Sequence, residues 1–347
     1  MEKHIISSTT PIKDALRRLN ELPHIKGAPL LLLVVDDNKK LVGTLTDGDI
    51  RRGLIEGADL FQPLERVMNK DFSYVQHKTG LSQLNALKKK GIWAVPLLDN
   101  DFRVIDLINL NLRKSILPID VVIMAGGRGE RLYPLTKNTP KPMLKVGEKP
   151  IIEINIDRLV NYGVRHINIS VNYLSDVITS YFQQKDKGCT ISFVKENQPL
   201  GTLGSITLVD KFEEDYILLM NSDLLTDIDF EDLLSELIQH KADMIVASVP
   251  YRVSVPYAVL ETQGKEIKKL SEKPTYTYHS NGGIYLFKKE ILKYVPENSY
   301  FNATDLLQVL LDNNHKVIYY DLIGYWLDIG SPEDFEKAQA DILHLKL

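Results

Sequence analysis

A single cysteine, Cys189, stands in 347 residues, and that scarcity removes two classes at once. One thiol makes neither an intrachain disulfide nor a thiolate metal cluster, so Cys189 reads as a structural residue. No apolar run approaches the roughly 18 residues of a spanning helix, and Met1–Pro11 is too polar for a signal peptide; a cytoplasmic location and no membrane partner are expected. Strong charge of one sign is missing too. The net charge is −4, split into about +4 up to Pro118 and −8 beyond it. So mild a split lacks the basic face that nucleic acid demands, but suits a small phosphorylated ligand in the first part. His166, Tyr173 and His279 stand in no nucleophile-and-base pattern.

What remains is globular. A hydrophobic content of 44% against 25% charged residues excludes both disorder and a fibrous class, and the length suits two or three compact units. The first 118 residues read as a degenerate repeat of helix, strand, strand and helix. Thr10-Pro11 opens a helix with Ile12, Ala15, Leu16 and Leu19 at helical spacing, followed by strands at Leu30–Val35 and Leu41–Leu45 around the turn Asp36-Asp37-Asn38. A second pass has Leu81 and Leu84 in a helix, then strands at Trp93–Leu98 and Val104–Ile108 around Asp99-Asn100-Asp101. After Pro118 the pattern changes. Strands at Val121–Ala125, Ile167–Val171, Ile217–Asn221 and Met244–Val249 alternate with helices near Ile151–Asn161, Ser175–Gln183 and Phe230–Gln239, which argues a mostly parallel sheet covered on both faces. The Leu-rich helix Ala303–Leu311 reads as core or oligomer contact.

Within the first repeat, Leu41-Val42-Gly43-Thr44-Leu45-Thr46-Asp47-Gly48-Asp49 resembles the cystathionine-β-synthase-type regulatory module, and the likeness runs over 1–117 as a tandem pair. The resemblance implies that Thr46 and Asp49 contact a nucleotide, an adenine nucleotide being the candidate. A hydroxyl at a helix start can donate to phosphate, and a carboxylate can accept from ribose hydroxyls. The plainer reading is that Thr46 caps a helix, Asp49 is a first-turn carboxylate and the module serves only dimer formation, a homo-oligomer being expected. Aligning Asn38 with Asn100 puts Ile105, Ile108 and Asn111 where Gly43, Thr46 and Asp49 stand, so at most one good nucleotide site is expected.

Beyond the boundary, Ala125-Gly126-Gly127-Arg128-Gly129-Glu130-Arg131-Leu132 follows a strand directly, and its glycines let backbone N–H groups approach an anion. Arg131 adds a fork of donors. The GK[ST] ending of a P-loop is absent. Downstream, Pro140-Lys141-Pro142 fixes Lys141 between two prolines, a rigid mount for a point charge. Together these motifs resemble the sugar-phosphate nucleotidyltransferase family over 118–347, implying a Rossmann-like α/β domain; Glu130 departs from the family's threonine. The resemblance carries Asp223, at the end of a strand, and Asp328, in Trp326-Leu327-Asp328, to a Mg²⁺ site. It carries Glu272 and Lys273 of Ser271-Glu272-Lys273-Pro274, with Asn281 and Gly282, to the sugar 1-phosphate. Ala125, Gly126, Gly127, Gly129, Glu196 and Gly201 fall to the NTP, with Arg131, Lys141 and Lys273 on the phosphates.

Glu196 heads a loop that resembles the family's base-binding segment. A carboxylate there accepts from both donors on the pairing edge of guanine, so GTP is the expected donor. Fusion to a CBS pair resembles the glucosamine-1-phosphate guanylyltransferases of bacterial legionaminic acid pathways; mannose or heptose 1-phosphate, and uridylyl or thymidylyl transfer, stay open. A nucleotide sensor without chemistry and a metal-dependent glycosyltransferase are the competing classes.

Overall fold

The structure, a computed structural model, describes residues 1–22, 29–76, 84, 86, 87, 90–111 and 113–345. Two compact units emerge, Met1–Leu117 with Asn161–Gly163, and Pro118–Val160 with Val164–Leu347.

In the N-terminal unit, β1 (Ile5–Ser7), α1 (Ile12–Glu21), β2 (Leu32–Val35), β3 (Leu41–Leu45) and α2 (Asp47–Ile55) are followed by β4 (Val75–Gln76), β5 (Ala94–Leu98) and β6 (Val104–Asn109). Helix α1 is entered from Pro11, the extended residue that flanks its start, and buries Ile12, Ala15 and Leu19. In each three-stranded sheet the first pair of strands is parallel and the second antiparallel. That shared sense is the internal repeat in three dimensions.

The repeat's register differs from the one expected. Asp36 Oδ1 accepts from the amides of Asn38 and Lys40, and Asp99 Oδ1 from those of Asp101 and Arg103. Lys39 and Phe102 both turn left-handed, at φ 62° and 63°. The carboxylate that closes the turn is the anchor, so Asp36 pairs with Asp99 and Asn38 with Asp101. Asp106, Asn109 and Leu112 then replace Ile105, Ile108 and Asn111 as counterparts of Gly43, Thr46 and Asp49. Leu112 lies outside the described residues, as does Leu81 of the predicted second helix, whereas Leu84 is helical.

The larger unit contains β7 (Ile119–Met124), the small hairpin β8 (Lys145–Val146) and β9 (Lys149–Pro150), α3 (Ile151–Asn161), β10 (His166–Val171), α4 (Ser175–Gln183), β11 (Thr190–Lys195), β12 (Tyr216–Asn221), β13 (Leu224–Thr226) and α5 (Phe230–Gln239). Then come β14 (Met244–Ser254), β15 (Val259–Gln263), β16 (Glu266–Ser271), β17 (Thr275–Lys288), α6 (Ala303–Asp312), β18 (Val317–Asp321), β19 (Trp326–Asp328) and α7 (Pro332–Asp341). Seven strands form one sheet in the order β11-β10-β7-β12-β17-β14-β18. Only the pairings of β17 are antiparallel. Strand β7 lies at the middle of the parallel part and is buried almost throughout, which is why it reads as an apolar run without alternation. Ile217, Leu219, Met244 and Phe287 from the sheet meet Leu306 and Leu310 of α6 in the core. No described helix is long and apolar enough to cross a membrane.

Register positions the site. Met124 is paired with both Ser170 and Asn221, so the segments leaving β7, β10 and β12 emerge together at one sheet edge, where open α/β folds bind ligands. A second ladder pairs Leu224 of β13 with Asp328 of β19, and the Ile329 amide donates to the Asp223 carbonyl at 3.1 Å. Two aspartates distant in sequence thereby become neighbours.

Candidate functional site

Lys141 is the hub of the site. Pro140 sets the entry to a short 3₁₀ turn, Lys141–Met143, in which the lysine is largely buried. Its ammonium donates to Asp223 Oδ2 and lies 3.7 Å from Asp328 Oδ1. Gly129 makes this approach possible. At φ 64° it occupies the left-handed region, and a Cβ there would lie 2.9 Å from Lys141 Cβ. Thr136 Oγ1 fastens the turn by donating to the Gly129 carbonyl at 2.9 Å.

The Oδ1 atoms of Asp223 and Asp328 are buried and accept no hydrogen bond from any described residue. Burial, then the neighbouring Asp223 carboxylate, pushes the Asp328 carboxyl above its ordinary range, while Lys141 and Arg131 pull it back. Arg131 stands beside the chain that follows Asp328: a Cβ on Gly330 would come within 3.3 Å of its guanidinium nitrogens. Two hard oxygen donors with uncommitted lone pairs fit a divalent cation that draws its other ligands from phosphate or water. Among the described residues no third acidic, histidine or cysteine ligand joins them.

Two cavities meet here. The larger, about 510 Å³, is lined by Gly126, Gly127, Arg128 and Lys141 on one side, by Asn172, by Glu196–Pro199 with Gly201, Thr202 and Tyr300, and by Asn221–Asp223. The smaller, about 350 Å³, is lined by Asn281–Gly283, Tyr285, Asn302, Thr304, Trp326 and Asp328. Thr202 and Asn221 line both. Asp223 thus faces one cavity and Asp328 the other, with the Lys141 ammonium at the junction. Asn281 is held by donating to the Tyr285 hydroxyl at 2.6 Å and accepting from the Gly283 amide, while Trp326 Nε1 donates to the Gly282 carbonyl at 2.9 Å.

Several expected roles change. Ala125 is buried and its amide bonds the Ser170 carbonyl, so it anchors the glycine-rich loop from behind. Glu196 faces the cavity but has each carboxylate oxygen engaged: Ser170 Oγ donates to one at 2.5 Å and the Leu200 amide to the other at 3.2 Å. It braces the loop through these two contacts and at the same time lines the cavity. Glu272 and Lys273 are exposed between β16 and β17 and line neither cavity, because the β14–β17 ribbon carries them past the sheet. Thr46 and Asp49 satisfy each other at the start of α2, with Thr46 Oγ1 donating to Asp49 Oδ2 at 2.6 Å and the Thr46 amide donating to the same oxygen at 2.7 Å. Arg52 holds the other Asp49 oxygen. The capping arrangement is therefore what this structure contains. A cavity of about 570 Å³ in the N-terminal unit, with Lys3, Ser7, Thr10, Arg17 and Arg18 in its wall, includes neither residue.

Asn221, Thr202, Asn172, Tyr300 and Trp326 were not singled out from sequence. Asn221 stands two residues before Asp223, at the end of the same strand, which is the signal for it; Tyr300, in a polar stretch without periodicity, carries none.

A family model described as nucleotidyl transferase matches residues 120–344, and a CBS domain model matches residues 2–56. Mannose-1-phosphate guanyltransferase beta-A of Xenopus laevis is 30% identical over 223 residues, covering 62% of each chain. The chain thus spans less than two thirds of that relative's length. D-glycero-alpha-D-manno-heptose 1-phosphate guanylyltransferase of Aneurinibacillus thermoaerophilus is 29% identical over 235 residues, 65% of this chain and 99% of the relative. Among solved structures, HddC from Yersinia pseudotuberculosis complexed with GMP-PN superposes with a TM-score of 0.51 at 27% identity, over 64% of this chain and 99% of the other.

Proposed function

Because the chain belongs to the nucleotidyl transferase family, with a CBS domain at its N-terminus, we propose that it transfers GMP from GTP to a sugar 1-phosphate, releasing pyrophosphate. One observation carries this reading: two cavities share Thr202 and Asn221, and the Lys141–Asp223–Asp328 cluster stands where they meet. A donor nucleotide in the larger cavity and a sugar 1-phosphate in the smaller would bring their phosphates together at that cluster.

The reaction is in-line attack by a sugar-phosphate oxygen on the α-phosphorus. The new P–O bond forms as the bond to the β-phosphate bridge breaks, and the electron pair leaves with pyrophosphate. The nucleophile is already anionic at neutral pH, so no general base is needed and the barrier falls through positioning and charge neutralisation. The backbone amides of Gly126 and Gly127, with Arg128 and Arg131, receive the phosphates of GTP, and Lys141 neutralises charge at the reacting phosphorus. Asn281, Gly282, Asn302 and Thr304 receive the sugar. Asp223 and Asp328 would hold a divalent cation, Mg²⁺ in this proposal, which when bound supplies neutralisation of the phosphate oxygens.

Guanine is supported by the printed names of the relatives, both guanylyl or guanyl transferases. The sugar is drawn from three candidates: mannose and manno-heptose, after the relatives, and glucosamine, after the fusion with the CBS module. The N-terminal unit is proposed to take an adenine nucleotide, for which the Thr46–Asp49 pairing must open. A cytoplasmic homo-oligomer completes the reading.

The test is a matrix of five NTPs against the three sugar 1-phosphates, read as pyrophosphate release, with and without Mg²⁺. Release with GTP is expected. A nucleotide sensor releases nothing, and a glycosyltransferase frees a nucleoside diphosphate from a nucleotide sugar; either result, or a clear preference for UTP or dTTP, overturns the proposal.

A further inference from the structure

We propose that Tyr300 is the platform on which the nucleobase stacks; this rests on the larger cavity being the nucleotide site. Tyr300 is the only aromatic among the described residues lining that cavity, and at 66% exposed its ring is left to water. Among the described residues its hydroxyl bonds nothing and its ring meets no other ring. What sets this exposed ring apart is its place in the cavity wall, where a face left to water gains from burial against a flat ligand.

The backbone, by contrast, is firmly placed. Phe301 receives bonds at its carbonyl from the Leu203 and Gly204 amides, at 3.0 and 2.9 Å, and donates its own amide to the Leu200 carbonyl at 3.0 Å. This approach requires two glycines. A Cβ on Gly201 would lie 2.7 Å from the Phe301 carbonyl oxygen, and one on Gly204 would lie 2.3 Å from that of Ser299. Gly201 also sits at φ +77°, in the left-handed region. The loop therefore gives up two side chains to bring the segment 299–301 against it, and Tyr300 is delivered to the cavity as a result.

Charge assigns the ends of the cavity. Its lining cations, Arg128 and Lys141, come from the glycine-rich loop and the Pro-Lys-Pro turn, so the phosphates belong there. The wall made by Glu196–Pro199, Gly201, Thr202 and Tyr300 bears no cation, and its one carboxylate is tied to Ser170 and Leu200. A neutral, planar base fits that wall, with the ring of Tyr300 giving it a face and Asn197 or Gln198 giving its edge polar partners.

The test is equilibrium binding of GDP and of inorganic tripolyphosphate by calorimetry to the full chain and to Tyr300→Ala and Tyr300→Phe. Tyr300→Ala is expected to weaken GDP by roughly five- to 150-fold, the range for losing one stacked base, and to leave tripolyphosphate within about twofold. Tyr300→Phe, which keeps the ring, is expected to bind GDP within about twofold of the parent. The proposal is overturned by unchanged GDP binding in Tyr300→Ala, by a parallel loss of tripolyphosphate, or by Tyr300→Phe failing as badly as Tyr300→Ala. Pyrophosphate release by the unmodified chain is scored separately: if it is absent while the binding pattern holds, the stacking role stands and the transferase reading falls.

Discussion

Lys141 and Asp223, 82 residues apart in the chain, share a hydrogen bond between ammonium and carboxylate at the junction of two cavities. The same ammonium lies 3.7 Å from Asp328, so one lysine compensates two neighbouring carboxylates that would otherwise repel. Such a site favours function over stability. Asp223→Asn keeps the shape, removes the repulsion with Asp328 and removes a proposed cation ligand. Turnover is expected to fall by at least about 100-fold, while the thermal midpoint stays level or rises. A variant that unfolds early, or that retains most of its pyrophosphate release, contradicts this account.

Gly129 offers a second point of leverage. Alanine at that position meets Lys141 Cβ at 2.9 Å and Thr136 Cγ2 at 3.0 Å, on a backbone already at φ +64°. The left-handed conformation alone costs about 1–2 kcal/mol for a side chain, and the contact pushes the lysine stem off its mount. Gly129→Ala is expected to lose about tenfold or more in kcat/KM, by analogy with other small misplacements of a positioned group. Gly127→Ala is the control: its Cβ meets nothing within 4 Å, so its fold is undisturbed and any loss reports close approach of phosphate instead. Equal activity in Gly129→Ala and the parent would show that Lys141 is not placed by this contact.

The frame was legible in sequence because its signals are local. Apolar runs gave β7, β10 and β12, the alternation of strands with helices placed α3, α4 and α5, and Gly-rich and Pro-Lys-Pro segments marked the phosphate side. What sequence could not supply is pairing between distant segments. The β13–β19 ladder that sets Asp328 beside Asp223, and the backbone bonds that carry Tyr300 into the cavity, depend on tertiary register. Side chains with two acceptable environments were the other blind spot. Glu196 suits either a base edge or a loop brace by composition, and only the Ser170 and Leu200 contacts reveal the brace. The repeat register slipped for a related reason: Asn38 and Asn100 look alike, but Asp36 and Asp99 close the turns.

Acid stability should carry the mark of Asp243, which ties the root of β14 to its neighbours. Lys288 Nζ lies 2.7 Å from one oxygen, and His315 Nδ1 and the Lys316 amide lie 2.9 and 3.1 Å from the other. Burial alone would raise its pKa, but these donors override it and hold the carboxyl at about 2, against an ordinary 3.8. A value depressed by folding stabilises fully above the unfolded pKa and is lost as pH falls toward the folded one. Asp243→Asn is therefore expected to cost about 1–2 kcal/mol in urea unfolding at pH 7, with the difference from the parent shrinking between pH about 4 and about 2. A gap that stays constant over that range would show that the carboxylate's charge is not what stabilises.

Thr46 allows the scaffold and ligand readings of the N-terminal unit to be separated. Its hydroxyl caps α2 by accepting from the Asp49 amide at 3.3 Å, and Asp49 returns the contact to the Thr46 amide. Losing such a cap costs about 1 kcal/mol, whereas serine preserves it. Without added nucleotide, Thr46→Ala is expected to speed hydrogen exchange at the first amides of α2 by about fivefold, the equivalent of that energy, and Thr46→Ser to leave it nearly unchanged. A nucleotide that enters by opening this cap gives up the same interactions, so adding ATP or AMP should change protection at these amides in the parent chain. Protection that ignores both the alanine and the nucleotide would mean that the Thr46–Asp49 pair neither caps the helix nor meets a ligand. Protection lost in Thr46→Ala yet indifferent to nucleotide would leave the pair as a cap alone, with the module acting as scaffold.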